Sequence, residues 1–310
     1  MTPEAAGAEA APPAERAPRP QWLTDRGRAV YGWTPPGQST PCARESALDE
    51  GELSEVVELI AAGRIERRSV VLPERLWTRH WPSVQQVALA LDERLGWEGC
   101  GWKIGAAAAD IRRAEKVPGP SPGRVYRRGV ATSPAVLDRE LFINYRCCEC
   151  EFAFELGADF PVRDEPYDEG DARAGIAALF PALEIGDTVF EDWYGASGYF
   201  GSCLDNGGGA ALVEGERVTE WSRLGGELAS ASIDVYLEGH YVKSGTGAAA
   251  MGHPVTSLTW LLNWLREHGR AAEAGEVVST GTCTGHLFAS PGDTVRADFG
   301  VLGVVEARFA

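Results

Sequence analysis

The chain has 310 residues, 44% of them hydrophobic, with 45 acidic residues against 29 basic ones and a formal net charge of −16. That apolar content supports a real core in one large domain or two modest ones, and the charge repels nucleic acid and anionic membranes, so neither is expected as a partner. No apolar run approaches the roughly 20 residues needed to cross a bilayer, and the start of the chain lacks a charged segment followed by an apolar signal core, so the expected location is the cytoplasm.

Met1 to about Pro20 is Ala, Pro, Glu and Arg with almost nothing to bury, which predicts a disordered lead-in. Trp22 to Pro41 reads as an extended arm, so residues 1–41 precede the folded chain. Leu53, Val56, Val57 and Ile60 then recur at helical spacing, and Gly63 is the expected terminator. A second helix is predicted from about Pro82 to Leu95, with Ser83 near its start, Val84, Val87, Leu91 and Leu95 on one stripe, and Gly96 at its end. Together they make an N-terminal helical cap over 42–96. Beyond Gly96 short apolar runs alternate with Gly and Pro, the texture of strands joined by tight loops, so a β-rich catalytic body is placed at 97–310.

Gly101-Trp-Lys-Ile-Gly105 sets one lysine among glycines and bulky apolar residues. Lys103 either binds an anionic substrate, exchanges protons with its pKa lowered by burial, or is a surface lysine with a packed stem. Further on, Arg146-Cys-Cys-Glu-Cys-Glu-Phe-Ala-Phe-Glu-Leu-Gly157 alternates like a strand. Cys148, Cys150, Phe152, Phe154 and Leu156 line one side, and Glu149, Glu151 and Glu155 the other. The plain reading is an amphipathic strand with its glutamates in water.

Glu184 changes that weighting, because within Ile176-Ala-Ala-Leu-Phe-Pro-Ala-Leu-Glu-Ile-Gly186 every other residue is apolar, Gly or Pro. A carboxylate in such a segment protonates, pairs with a cation or binds a metal. Glu149, Glu151 and Glu184 together offer an all-oxygen site suited to Mg2+ or Mn2+. An ion pair with an arginine or a protonated carboxyl is the alternative for Glu184. The seven cysteines, at positions 42, 100, 147, 148, 150, 203 and 283, lack any disulfide-scaffold spacing and are read as reduced. Cys147, Cys148 and Cys150 have no second Cys or His pair at zinc-finger spacing, so packing is preferred to zinc.

In the Gly-rich stretch 198–209, Asp205 and Asn206 are either reactive groups or turn residues. Ile233 to Lys243 reads as a hairpin turning at Glu238-Gly239, with a structural role. Gly252-His253-Pro254 opens the strongest predicted helix, with Val255, Leu258, Leu261, Leu262 and Leu265 as core stripe and Gly269 as terminator. His253 either faces a site or caps that helix. Glu276 to Gly285 runs a strand into a loop of small hydroxyl residues, among them Thr282 and Thr284, that either holds an anion or only turns.

The ordered set Gly-Trp-Lys103-Ile-Gly, Glu149-Cys-Glu151, Pro181-Ala-Leu-Glu184-Ile, Asp205-Asn206, Gly252-His-Pro, Ser279-Thr-Gly and Pro291-Gly-Asp293 resembles the hydratase/decarboxylase branch of the fumarylacetoacetate hydrolase superfamily. The resemblance covers about residue 85 to the C-terminus. It implies an α+β fold with a mixed β-sandwich or β-roll body, a divalent metal held by Glu149, Glu151 and Glu184, Lys103 beside the substrate, and a homo-oligomer built from dimers. It implies a 2-oxo acid, or its 2-hydroxydienoate enol, as small-molecule substrate, with Lys103 and Asp205 catalytic and Asn206, Thr282, Thr284 and His253 toward the substrate. The implied reaction is hydration or dehydration, or else decarboxylation or tautomerisation through the same enolate. The loop Val117-Pro-Gly-Pro-Ser-Pro-Gly123 departs from the family in having no acid where hydratases tend to carry an aspartate. A non-catalytic ligand-binding relative is therefore the competing class. A C–C hydrolase ranks below both, since His80 is the only candidate base for its water.

Overall fold

The computed structural model describes residues 44–190, 199–223 and 228–310, and the expected arm at 1–41 lies outside the described residues. The first helix, α1 (Glu50–Glu66), starts at a reciprocal cap: Asp49 accepts from the Glu52 amide while the Glu52 side chain accepts from the Asp49 amide. It runs past Gly63 and ends at Arg67, whose φ of 55° is left-handed. Gly63 is required for contact rather than termination, because a Cβ there would come within 2.4 Å of Val70 Cγ2. The second helix, α2 (Trp81–Leu95), ends at Gly96 with φ 59°, as its sequence indicates.

Two sheets follow. The larger is ordered β2 (Ser121–Tyr126), β1 (Gly99–Gly105), β10 (Val277–Ser279), β5 (Cys147–Leu156), β6 (Ile176–Gly186), β7 (Gly209–Glu214) and β3 (Val130–Thr132), with β11 (Leu287–Phe288) also pairing with β5. The smaller is ordered β4 (Ala135–Leu137), β13 (Val304–Phe309), β12 (Thr294–Asp298), β8 (Ser232–Leu237) and β9 (His240–Thr246). Phe152, Phe154, Leu183 and Ile185 of the larger sheet share one core with Val235, Val295, Val305 and Phe309 of the smaller. Burying a side chain such as Phe152 or Phe154, both fully enclosed, contributes about 1.5–3 kcal/mol each. The short helices α3 (Ala109–Glu115), α4 (Glu169–Ala174) and α5 (Tyr199–Leu204) lie in connections. The long helix α6 (Pro254–Glu267) adds Val255, Leu258, Leu261, Leu262 and Leu265 to the shared core.

The helical cap has a core of its own, but it shares it with the body. Val56, Ile60, Val87 and Leu91 pack with Val189, Phe190, Phe200, Cys203 and Leu204. The expected solvated acidic face of β5 does not exist, because β5 is an inner strand: Glu151 is only 1% exposed, and Ala153 on the same face is fully buried. Glu155, near the strand end, pairs with Arg217. The six described cysteines are buried and free, which fits reduced thiols. Among the described residues no helix is long and apolar enough to cross a membrane.

Candidate metal centre

Strand register assembles the site. Glu149 on β5 stands directly opposite Glu184 on β6, and Glu151 is two residues along β5, hence on the same face. Across β10, Ser279 pairs with Ala153 on one side and with Lys103 of β1 on the other. Lys103, Ser279, Glu149, Glu151 and Glu184 therefore all project from one face of one sheet. Carboxylate oxygens of the three glutamates lie within 4.8 Å of one another. Like charges directly opposite in a sheet destabilise it, so this arrangement calls for a compensating cation or a retained proton.

The compensation inside the chain is partial. Lys103 Nζ lies 3.3 Å from Glu184 Oε1, and it donates to the Gly207 carbonyl. Gly207 has φ 62°, and a Cβ there would sit 2.7 Å from Lys103 Nζ, so only glycine presents that carbonyl. Glu151 Oε2 accepts from Ser279 Oγ at 2.6 Å and from the Gly281 amide at 2.8 Å. Glu149 Oε1 lies 3.3 Å from His286 Nε2. Glu184 Oε1, fully enclosed, accepts no hydrogen bond despite the nearby ammonium.

Protonation follows these contacts. Burial, then the charges of Glu184 and Glu149, push the Glu151 carboxyl well above the usual carboxylate range. Burial also raises Glu184, against the pull of Lys103. Burial opposes ionisation of Glu149 too, but His286 and Lys103 outweigh it and hold that carboxyl below its ordinary value. For Lys103, burial alone would favour the neutral amine. The three glutamates reverse this and leave its pKa raised, which sets aside the burial-lowered reading among the three open for this lysine while no cation occupies the site. An orphaned buried oxygen and an excess of hard carboxylate donors fit a divalent cation such as Mg2+, and Glu149, Glu151 and Glu184 are the residues that would hold it.

A cavity of about 760 Å³ opens onto Glu149. Thr282 and His286 line it, and Thr282 Oγ1 is buried without a hydrogen-bond partner. His286 follows the hydroxyl-rich loop that ends at Gly285, and no local pattern marks it. Its placement depends on Lys243 of β9, whose Nζ donates to the carbonyls of Gly285 at 2.8 Å and His286 at 2.6 Å. The β8–β9 hairpin thus reaches the site, beyond the purely structural role expected of it. Its turn at Glu238 (φ 50°) and Gly239 (φ 75°) is as anticipated.

Four expected site residues are engaged elsewhere. Asp205 accepts from Arg64 Nε at 2.7 Å through one oxygen and from the Val189 amide at 2.8 Å through the other, so it ties the cap to the body instead of facing a substrate. Asn206 clamps β2, accepting from the Arg124 amide at 2.6 Å and donating to the Arg124 carbonyl at 2.9 Å. Through that clamp both support the Gly207 turn that meets Lys103. His253 Nδ1 accepts from the Val255 amide at 3.0 Å and caps α6. Thr284 Oγ1 accepts from the Cys150 amide at 3.4 Å. His80 likewise contacts Ser83 Oγ at 2.9 Å, at the start of α2.

No family model matches the sequence. Among curated proteins, a 2-hydroxyhexa-2,4-dienoate hydratase of Comamonas testosteroni is 30% identical over 226 residues, 71% of this chain and 82% of that protein. The chain belongs to the fumarylacetoacetate hydrolase superfamily. Its place is in the hydratase/decarboxylase branch. A 4-oxalocrotonate decarboxylase of Pseudomonas putida is 29% identical over 140 residues, a match spanning 45% of this chain and about half, 52%, of that protein. In fold, a 4-oxalocrotonate decarboxylase from Pseudomonas putida G7, complexed with magnesium and adipate, superposes with a TM-score of 0.72 at 22% identity, over 86% of this chain and 100% of that one. The expected α+β architecture of this superfamily is the one observed.

Proposed function

We propose that this superfamily member is a Mg2+- or Mn2+-dependent lyase acting on a 2-oxo acid or its 2-hydroxydienoate enol, by hydration or dehydration through a stabilised enolate. One observation carries the reading: three buried carboxylates converge within 4.8 Å with a single lysine among them, a charge excess that an idle site has no reason to keep. When bound, the cation supplies a chelation point for the 2-oxo acid and stabilisation of negative charge on its C2 oxygen. The chain's own residues do the rest. Glu149, Glu151 and Glu184 would hold the cation, Ser279 and the Gly281 amide hold Glu151 in orientation, and His286 orients Glu149. Lys103, held by Gly207, orients the substrate carboxylate or carries the proton at C3.

Decarboxylation or tautomerisation through the same enolate is the second reading, and Ser121 favours it. Between Val117 and Gly123 no side chain is acidic, and the first residue of β2, buried and paired with Gly105 at the end of Lys103's strand, is a serine. These reactions need no residue to activate water. A silent binding relative is disfavoured by the same charge excess.

The test is deuterium incorporation at C3 of small 2-oxo acids in D2O, with Mg2+ and then with chelator. Exchange abolished by chelator and by Glu184→Gln is the expected result. Tight Mg2+ binding without exchange on any acid would sink the catalytic reading.

A further inference from the structure

A phenol reaches the face that carries the three glutamates from outside the sheet. Gly105 lies two residues along β1 from Lys103, so a side chain there would point to the same face. A Cβ at 105 would come within 2.6 Å of Tyr199 Oη and 3.7 Å of Lys103 Nζ. Glycine at this position therefore leaves the room in which the hydroxyl approaches the lysine. Tyr199 is 6% exposed and lines the same cavity as Glu149. It is held from behind: α5 packs into the cap core, Phe200 meets Trp81 edge-on at 5.8 Å, and the Tyr199 amide donates to the Glu115 carboxylate. The other ionisable groups of the lining are engaged or belong to α3. Glu149 and His286 face one another at 3.3 Å. Asp110 accepts from the Ile111 amide, Arg112 donates to the carbonyls of Ala106 and Ala107, and Arg113 is exposed. Of the two hydroxyls in the lining, Tyr199 and Thr282, only the phenol is acidic enough to pass a proton. Ser121, paired with Gly105, offers no acid in its place.

We propose that Tyr199 is a further catalytic residue, the proton carrier at C5 of a conjugated substrate. This rests on the proposed enolate chemistry and assigns the second carbon at which that enolate reacts. An enolate conjugated to a C4–C5 double bond carries negative charge at C3 and at C5, so two positions take a proton. Lys103 is turned toward Glu184 and Gly207, among the carboxylates, whereas Tyr199 faces the open volume into which a longer chain extends. In the step, the Tyr199 O–H bond breaks as the C5–H bond forms. The electron pair moves from the C2 oxygen through the conjugated chain, so that C2–O becomes a carbonyl and the C4–C5 double bond shifts to C3–C4. The phenolate is then reprotonated from water, which balances the proton that the C2 hydroxyl gave up to solvent when the enolate formed.

The experiment follows 2-hydroxypenta-2,4-dienoate in D2O with Mg2+ by NMR, reading deuterium at C5 and at C3 after subtracting the enzyme-free rate. Tyr199→Phe, which removes only the hydroxyl, is expected to lower C5 incorporation relative to C3 by roughly 10²-fold or more. Gly105→Ala, which pushes the hydroxyl away while meeting Lys103 Nζ at an ordinary contact distance, is expected to lower the same ratio by a smaller factor. An unchanged ratio in Tyr199→Phe, or a parallel fall at both carbons, overturns the inference, the second because it marks a purely structural residue. Should Tyr199→Phe not fold, Gly105→Ala decides by the same ratio. A wild-type protein that places deuterium at neither carbon breaks the proposed function and takes the inference with it. Wild-type incorporation at both carbons with an insensitive ratio breaks the inference alone.

Discussion

Two clusters of buried charge sit in this molecule, and they are satisfied to different degrees. Around Arg64, every carboxylate oxygen has a donor. Asp205 receives Arg64 and the Val189 amide, and Asp187 receives the amides of Ile143 at 2.5 Å, Asn144 at 3.0 Å and Tyr145 at 2.7 Å. Around Glu184, three carboxylates share one lysine, and an enclosed oxygen accepts nothing. The first cluster is closed, and removing a member leaves a buried charge without its partner. The second is open, and its missing partner is external. Burial alone therefore does not mark a functional charge; incomplete pairing does.

The sharpest break in this contrast comes from the lysine. Lys103→Met should lower C3 exchange by roughly 10²- to 10⁴-fold, while Mg2+ affinity measured by calorimetry holds or rises, because a competing cation is gone. Next, Asp205→Asn should destabilise the fold by about 3–5 kcal/mol in urea titration, with Mg2+ affinity of the surviving folded protein little changed. A loss of Mg2+ binding without destabilisation would place Asp205 in the site after all. Smaller still, His286→Asn should weaken Mg2+ by about 10- to 100-fold through the orientation of Glu149, read by the same calorimetry.

The smallest effect is in protons. Glu151 and Glu184 have folded-state pKa values raised above the unfolded carboxyl value of about 4.3. In chelator, their stabilising contribution is complete below that value and is lost as pH rises through the raised folded values. The melting temperature of the metal-free protein should therefore fall with pH across that window, and Mg2+ should offset the fall. Mg2+ binding should also release protons, visible as a buffer-dependent enthalpy.

How legible these clusters were in the sequence follows from the range of their interactions. Glu149 and Glu151 are marked by period-two spacing, and Glu184 by its apolar neighbours, all local signals. Helix ends such as Gly96 and the Glu238-Gly239 turn were equally local. The role of Asp205 was not visible because its partner Arg64 is 141 residues away. Lys243 holds carbonyls 42 and 43 residues distant, and nothing around it in sequence indicates this. Asn206 looks reactive beside Asp205, yet its amide is spent on the backbone of Arg124, 82 residues away. Gly63 looked like a terminator because its neighbour in space, Val70, lies in the segment after the helix.

The pairing of Glu149 with Glu184 makes the centre depend on alignment between two strands rather than on any loop. A slip of β5 by a single residue would turn Glu149 and Glu151 to the opposite side of the sheet and bring Cys148 and Cys150 in their place. A one-residue deletion between Cys147 and Glu149 should thus erase the centre even if the protein still folds. The centre is in effect a reading frame written in hydrogen bonds.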